Sequence, residues 1–213
     1  MQKKSNIQLV VFDLDGTLMK SDLTIYNSMV ETLREIGIST EIPKEEFDKF
    51  IGYHFQDIFD YFKINVGDLD SYISKYKETY FKNLSLTELY PGVLETLRNL
   101  KLKQIKTAIL TTKAQDQLEK IITYFELNNY FDYLYGRRLN SKIKPSPEPL
   151  LEIMDILKVD NNSTIMVGDT ELDIMCGNSA KTFTVFVEYG YGKLNGNFTH
   201  YKFSNITQLL EII

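Results

Sequence analysis

The sequence of 213 residues has no tryptophan, a single cysteine, two histidines and five prolines. The lone cysteine, Cys176, cannot form an intramolecular disulfide, which favours a reducing compartment. Residues 1–16 carry only a short apolar stretch that Asp13 soon interrupts, so we expect neither a signal peptide nor a membrane span. No stripe of lysine and arginine stands out and the formal net charge is −5, which argues against nucleic acid as a partner. These absences favour a cytoplasmic protein and leave a small anionic ligand open.

The composition is otherwise that of an ordinary globular protein, with 43% apolar and 25% charged residues. A chain of this length can form one sizeable core, or a core with a smaller inserted unit. A monomer is the default expectation and a dimer the alternative, because the sequence alone establishes no exposed apolar stripe.

Three apolar runs end abruptly in polar residues, as strands buried on both faces of a parallel sheet do. They cover residues 7–15, 105–113 and 163–173. Shorter strand candidates lie at 131–136 and 182–187.

Segments with the helical spacing of apolar residues lie between or after these runs, at 91–102, 115–127, 146–159 and 171–180. In the third segment, Ser146 is the expected N-cap. The alternation of strands and helices predicts an α/β fold, with a Rossmann-like parallel sheet and helices on both of its faces. Ligands of such folds bind at the carboxyl ends of the strands.

Residues 20–87 interrupt this alternation. Four amphipathic segments follow one another there, with no clear strand between them. We therefore expect an all-helical cap at 20–87, inserted into an α/β core made of residues 1–19 and 88–213.

Polar side chains that could take part in catalysis or binding lie at the ends of the predicted strands, where loops begin. Because the carboxyl ends of parallel strands meet at one edge of a sheet, we expect them to converge on one pocket. They are Asp13, Asp15, Thr111, Lys144, Asp169 and Asp173.

Several carboxylates at close range repel one another, and a divalent cation with a preference for oxygen relieves that repulsion. Carboxylates, a backbone carbonyl and water suit Mg²⁺, which shares its coordination shell with phosphate. A lysine and a threonine hydroxyl nearby supply positive charge and a hydrogen-bond donor, and Gly16 allows backbone N–H groups to approach a phosphate closely. Together these groups meet the requirements of phosphoryl transfer with an aspartate nucleophile.

Four segments, in this order, resemble the motifs of the haloacid dehalogenase superfamily: "DLDGTL" from Asp13, "ILTTK" around Thr111, "KPSPEP" from Lys144 and "GDTELDI" around Asp169. The resemblance spans nearly the whole chain. The predicted helical insertion is similar to the C1 cap of the subgroup that includes phosphoglycolate phosphatase.

The resemblance implies a role for each matching residue. Asp13 would be the nucleophile, and Asp15 would protonate the leaving oxygen and later activate water. Thr111 and Lys144 would hold the phosphoryl group, together with Gly16.

The metal site implied by the resemblance uses Asp13, the backbone carbonyl of Asp15, and Asp169 as Mg²⁺ ligands. Asp173 would act from outside this shell or through water. Members that act as dehalogenases typically lack the second aspartate of the first motif, so Asp15 favours a phosphatase.

Other positions are more open. Relatives often have asparagine where Thr112 stands, and we expect its hydroxyl to help bind the phosphate. In the predicted cap, His54 and Gln56 are candidates for contact with the leaving group, although a polar surface position is the ordinary alternative. Arg137 or Arg138 could meet a substrate anion, with two solvated arginines as the more ordinary interpretation.

Three functions remain in competition. The favoured one is a Mg²⁺-dependent phosphatase of a small phosphorylated metabolite, through an aspartyl-phosphate. The substrate could be phosphoglycolate, a sugar phosphate, a nucleotide or pyrophosphate. The alternatives are a phosphomutase of the β-phosphoglucomutase type, and a non-enzymatic phospho-acceptor or binding module.

Overall fold

A six-stranded parallel sheet forms the centre of the computed structural model, which describes residues 6–213. Residues 1–5, which the sequence assigns to the core, lie outside the described residues. The strands are β1 Leu9–Phe12, β2 Met19–Lys20, β3 Glu88–Leu89, β4 Lys106–Ala114, β5 Tyr133–Arg137, β6 Thr164–Gly168, β7 Phe183–Val187 and β8 Tyr201–Phe203. The order in the large sheet is β5-β4-β1-β6-β7-β8, and every neighbouring pair in it is parallel.

Strand β1 occupies the middle of the sheet because its four residues are all apolar and can be buried on both faces. Phe12, its last residue, is paired with Ile109 of β4 on one side and Val167 of β6 on the other. The three strands therefore end close together, and the polar residues that follow them reach the same edge of the sheet.

Helices cover both faces of the sheet, as the sequence predicts. The helices are α1 Asp22–Glu35, α2 Lys44–Phe47, α3 Phe55–Phe62, α4 Leu69–Lys82, α5 Val93–Leu102, α6 Gln115–Tyr124, α7 Glu148–Leu157, α8 Glu171–Ser179 and α9 Leu209–Ile212. Successive side chains of β1 alternate between the faces. Val10 belongs to the apolar cluster that contains Leu97 of α5 and Leu118 of α6, whereas Val11 belongs to the cluster that contains Leu150 of α7 and Cys176 of α8.

Helices α1–α4 make up the segment in which the sequence predicts an all-helical cap. Aromatic side chains hold α3 against α4, with ring centroids 4.5 Å apart for Phe55 and Tyr76 and 4.8 Å apart for Phe59 and Tyr72. The division of the chain into two domains stays a prediction.

A two-stranded antiparallel ribbon of β2 and β3, absent from the sequence prediction, joins the two ends of this helical segment. Met19 is paired with Leu89 there, at the positions where the expected insertion begins and ends. Each of its strands has two residues, which is too short for a periodic pattern to show in the sequence.

Two further details differ from the expectations. Strand β8 was not predicted, because three residues give no periodic signal. Helix α7 begins at Glu148, with Pro147 rather than Ser146 in the capping position. Ser146 still accepts a hydrogen bond from the Glu148 N–H at 3.3 Å, so the start of the helix moves by one residue and keeps its cap chemistry. Among residues 6–213, no helix combines the length and the apolar character that crossing a bilayer requires.

Candidate active site

The two aspartates that follow β1 have different partners. Asp13 is fixed by its own N–H, which donates to the Val167 carbonyl at 2.9 Å, and its carboxylate joins a buried cluster of charged groups. The Asp15 carboxylate lies apart from that cluster. It accepts a hydrogen bond from Ser21 Oγ at 2.5 Å and forms an ion pair with Lys113 Nζ at 2.7 Å. Two carboxylates only two residues apart can therefore do separate chemical work.

Lys144 links two carboxylates of the buried cluster. Its Nζ lies 2.5 Å from Asp13 Oδ1 and 2.6 Å from Asp173 Oδ1. The lysine is only 5% exposed. Burial acts to lower the pKa of Lys144, but Asp13 and Asp173 outweigh it and raise the pKa above its usual value. The lysine therefore stays charged and holds Asp13 in one orientation.

Asp169 and Asp173 reach the cluster from β6 and the start of α8. Asp169 Oδ2 accepts hydrogen bonds from the N–H groups of Tyr191 at 2.8 Å and Gly192 at 3.3 Å, and Thr17 Oγ1 donates to Oδ1 at 3.1 Å. Asp173 Oδ2 accepts from the Thr170 N–H and hydroxyl, which caps α8. Each carboxylate is thus held by one set of groups while part of it faces the cluster.

The cluster has too much negative charge to be stable in isolation. With all its carboxylates ionised, Lys144 balances only one of Asp13, Asp169 and Asp173, which leaves two net negative charges. Burial raises the pKa of Asp13 well above its usual value. Asp173 and Asp169 raise it further, whereas Lys144 acts to lower it. Burial and then Asp173 raise the pKa of Asp169 to about 7.

A divalent cation fits this donor set. Asp13, Asp169 and Asp173 can each offer one oxygen, and these oxygens lie within 4.8 Å of one another. Carboxylate oxygens are the ligands that Mg²⁺ prefers, and two positive charges would neutralise the cluster. The Asp15 carboxylate is not part of this cluster, and the metal contact that the resemblance implies for its backbone carbonyl stays a prediction.

Gly16 makes room for this arrangement. It adopts a φ of +83°, and a Cβ there would collide with the Asp169 carboxylate. Its N–H donates to the Met19 carbonyl at 2.8 Å. The glycine lets the Asp169 carboxylate lie close to the backbone, and the close approach of a phosphate expected at Gly16 stays a prediction.

The end of β4 presents three polar residues in a row. Thr111 is buried, and its Oγ1 accepts a hydrogen bond from the Lys113 N–H at 3.3 Å. The Thr112 hydroxyl donates to the Gly52 carbonyl of the helical segment at 3.1 Å. This contact joins β4 to the loop before α3 at the edge of the cavity described below, and the phosphate contact expected of Thr112 stays a prediction.

Sequence reasoning missed Lys113. Besides its ion pair with Asp15, its Nζ lies 4.8 Å from the ring centroid of Tyr80 on α4. Burial acts to lower the pKa of Lys113, but Asp15 raises it above the usual value. The only signal in the sequence is a lysine directly after a buried strand and two threonines.

A cavity of about 80 Å³ lies next to Asp15, between the end of β4 and helices α3 and α4. His54 and Arg137 line it together, with Arg137 NH1 2.6 Å from His54 Nε2. Gln56 does not line it; its side chain is exposed and donates to Asp60 at 2.8 Å. His54 and Gln56 are the two candidates from the expected cap loop, and the structure places only His54 at the cavity.

Of the two neighbouring arginines, likewise, only one lies at the cavity. Arg138 lies outside the cavity and pairs with Glu152 at 3.0 Å. Arg137 is the one that faces the cavity.

The arrangement supplies the parts of a group-transfer site. Asp13 is a buried carboxylate oriented by a lysine beside an oxygen-rich cation site, and Asp15 is a second carboxylate with partners of its own. A parallel α/β fold with a lysine-bound carboxylate and a candidate cation site at its strand ends is typical of one class of hydrolases.

Comparison with known proteins agrees with this class. Residues 10–187 match the model of the haloacid dehalogenase-like hydrolases. The chain is 31% identical to the phosphoglycolate phosphatase of Aquifex aeolicus over 209 residues, and 32% identical to the pyrophosphatase PpaX of Bacillus mycoides over 211 residues, with 97% of each chain covered in both cases.

Solved structures show the same fold. A predicted phosphatase from Clostridium acetobutylicum superimposes with a TM-score of 0.84 at 26% identity, covering 97% of this chain and 98% of the other. The chain belongs to the haloacid dehalogenase-like hydrolase family.

Proposed function

We propose that this protein is a Mg²⁺-dependent phosphatase that hydrolyses a small phosphate ester or pyrophosphate through an aspartyl-phosphate on Asp13. The single observation that carries the proposal is the position of Lys144 Nζ, within 2.6 Å of both Asp13 and Asp173. A lysine so placed favours the ionised form of the nucleophile against burial, orients it, and adds positive charge where phosphoryl oxygens would gather.

In the first half-reaction, an Asp13 oxygen attacks phosphorus and the bond from phosphorus to the leaving oxygen breaks. Asp15 gives its proton to that oxygen. In the second, Asp15 takes a proton from water, the water oxygen attacks phosphorus, and inorganic phosphate leaves as Asp13 is regenerated. Thr111 and Lys144 hold the phosphoryl oxygens throughout.

Asp13 and Asp169, with the Asp15 carbonyl, would hold Mg²⁺, and Asp173 would support them from its place on α8. When bound, the ion neutralises charge that develops on the phosphoryl oxygens. The rest of the chemistry belongs to the side chains named above.

The names of the relatives support a small substrate. The compared proteins are a phosphoglycolate phosphatase and a pyrophosphatase, and both names refer to compact phosphorylated anions. The cytoplasmic location and the monomeric state, with a dimer as the alternative, stay predictions.

Phosphate release from phosphoglycolate, pyrophosphate, a sugar phosphate and a nucleotide, measured with Mg²⁺ and with EDTA, tests the proposal. Asp13→Asn should abolish release, whereas Asp160→Asn, at an exposed position, should not change it. Full activity in clean Asp13→Asn protein would refute the mechanism. Isomerisation of a sugar 1-phosphate without phosphate release would instead favour a phosphomutase.

A further inference from the structure

The cavity beside Asp15 is placed to receive the leaving group. Asp15 and Lys113 line it on the side of the sheet, and Phe50, His54 and Tyr76 line it on the side of the helical segment. If Asp15 protonates the leaving oxygen, the rest of the leaving group must extend into this space. Its volume of about 80 Å³ suits a compact group.

One wall of the cavity carries a buried donor with nothing to bind. Gln117 on α6 is 4% exposed, and its Nε2 has no hydrogen-bond partner among residues 6–213. Buried amide donors are nearly always satisfied in folded proteins, because leaving one unpaired is costly. This atom therefore calls for an acceptor in the cavity.

A second wall carries two donors that face each other. His54 Nδ1 accepts a hydrogen bond from the Gln56 N–H at 3.2 Å, as the cap of α3. A neutral imidazole has one acceptor nitrogen, so Nε2 then carries the hydrogen and points at the Arg137 guanidinium, which can only donate. A shared acceptor between them would satisfy both.

Arg137 is also the cavity's uncompensated positive charge. Lys113 is paired with Asp15 and Lys77 with Asp116, both at 2.7 Å. Across the part of the chain that the structure describes, Arg137 has no carboxylate within ion-pair distance. An anion is the acceptor that fits an arginine, an amide and an imidazole N–H at once.

We propose that this cavity binds a second anionic group, a carboxylate or a phosphate, at the far end of a short leaving group. The inference rests on the proposed phosphatase function and narrows its substrate class. The substrate is a phosphoryl group joined through oxygen to a compact group that ends in an anion. Neutral sugars and nucleosides offer no charge to Arg137.

A matched pair of substrates tests the charge directly. Phosphoglycolate is compared with phosphoglycolamide, which replaces its carboxylate with a neutral amide. Wild-type kcat/KM should favour phosphoglycolate by at least about tenfold, on the scale of a charge-assisted hydrogen bond. The better of phosphoglycolate and pyrophosphate shows whether carboxylate or phosphate is the natural occupant.

Variants then locate the site. Arg137→Gln should reduce the ratio of anionic to neutral kcat/KM by about 10- to 100-fold, and Gln117→Leu should reduce it less. Arg137→Lys should recover part of the preference. Arg138→Gln, at the adjacent arginine that pairs with Glu152, is the control and should behave as wild type. Thermal unfolding of each variant shows that it is folded.

A binding measurement in EDTA, where the proposed Mg²⁺-dependent hydrolysis stops, separates a loss of binding from a structural effect. Under these conditions phosphoglycolate should raise the Tm of wild type more than phosphoglycolamide does, and Arg137→Gln should abolish the difference. Equal wild-type kcat/KM for charged and neutral substrates would overturn the inference and leave the phosphatase intact, as would an unchanged ratio in Arg137→Gln. Failure of wild type to hydrolyse any ester, charged or neutral, would refute the proposed function itself.

Discussion

Replacing Asp13 with asparagine should abolish catalysis and yet stabilise the metal-free protein. The substitution keeps the size of the side chain and an oxygen that accepts from Lys144. Without Mg²⁺, the ionised cluster of three carboxylates and Lys144 carries two net negative charges. The substitution removes one of them. The same groups that suit Asp13 to catalysis therefore strain the folded state.

The size of the effect follows from the distances. The cluster oxygens lie within 4.8 Å of one another. At an effective dielectric of about 20, two like charges at that outer distance repel by about 3.5 kcal/mol, and opposite charges 2.5 Å apart attract by about 6–7 kcal/mol. Repulsion of Asp13 by two carboxylates therefore at least roughly cancels its attraction to Lys144. Burial of the carboxylate, which costs several kcal/mol per ion, decides the sign.

We expect Asp13→Asn to raise the free energy of unfolding in EDTA by about 2 kcal/mol, because part of the relieved cost is lost to an imperfectly paired amide. For a chain of this size that corresponds to about 4–8 °C in Tm. Added Mg²⁺ should narrow or reverse the gap, since it stabilises wild type by binding the native state and the variant has lost a ligand.

Urea unfolding with and without Mg²⁺ measures both quantities, and Asp160→Asn serves as the matched surface control, expected within about 0.5 kcal/mol of wild type. A variant that is less stable than wild type in EDTA would refute the reasoning. It would mean that the contact with Lys144 outweighs burial and repulsion together.

Other groups give independent tests. Lys144→Met should destabilise the protein by about 3–5 kcal/mol in urea, because it strands buried carboxylates, whereas Lys142→Met at an exposed site should have little effect. Cys176, whose pKa burial raises to about 12, should react with a thiol reagent at pH 8 only when the protein unfolds. Burial, and then Arg137, lower the pKa of His54, so the folded state binds fewer protons there than the unfolded state does. The free energy of unfolding should therefore fall as pH drops below about 6.5. His54→Gln should make this fall smaller in urea titrations from pH 7 to pH 5.

The sheet and the buried cluster were predictable because they follow from a repeating pattern. An apolar run that ends in polar residues marks a buried parallel strand, and the carboxyl ends of such strands meet at one edge. This reasoning alone predicts that Asp13, Lys144, Asp169 and Asp173 converge, and the structure brings them within hydrogen-bond or ligand distance.

The cavity was not predictable, because its walls come from elements whose relative placement no local pattern encodes. Gln117 looks in the sequence like any polar residue of an amphipathic helix, and only packing buries its amide. Arg137 and Arg138 are indistinguishable as neighbours until one side chain meets His54 and the other meets Glu152. The proposed specificity depends on such long-range contacts, whereas the proposed chemistry depends on groups at the strand ends.

The partners of Asp15 show how the two kinds of information combine. Ser21 stands where the chain enters the helical segment, and Lys113 stands at the end of β4 against Tyr80 of that same segment. The proposed proton donor is therefore held by groups where the sheet meets the helical segment, whereas Asp13 is held by the Val167 carbonyl of β6 and by Lys144. A displacement of the helices would change the hydrogen bond and the ion pair of Asp15 more directly than those of Asp13. The proposed nucleophile and the proposed proton donor are two residues apart in sequence, yet different parts of the molecule hold them in place.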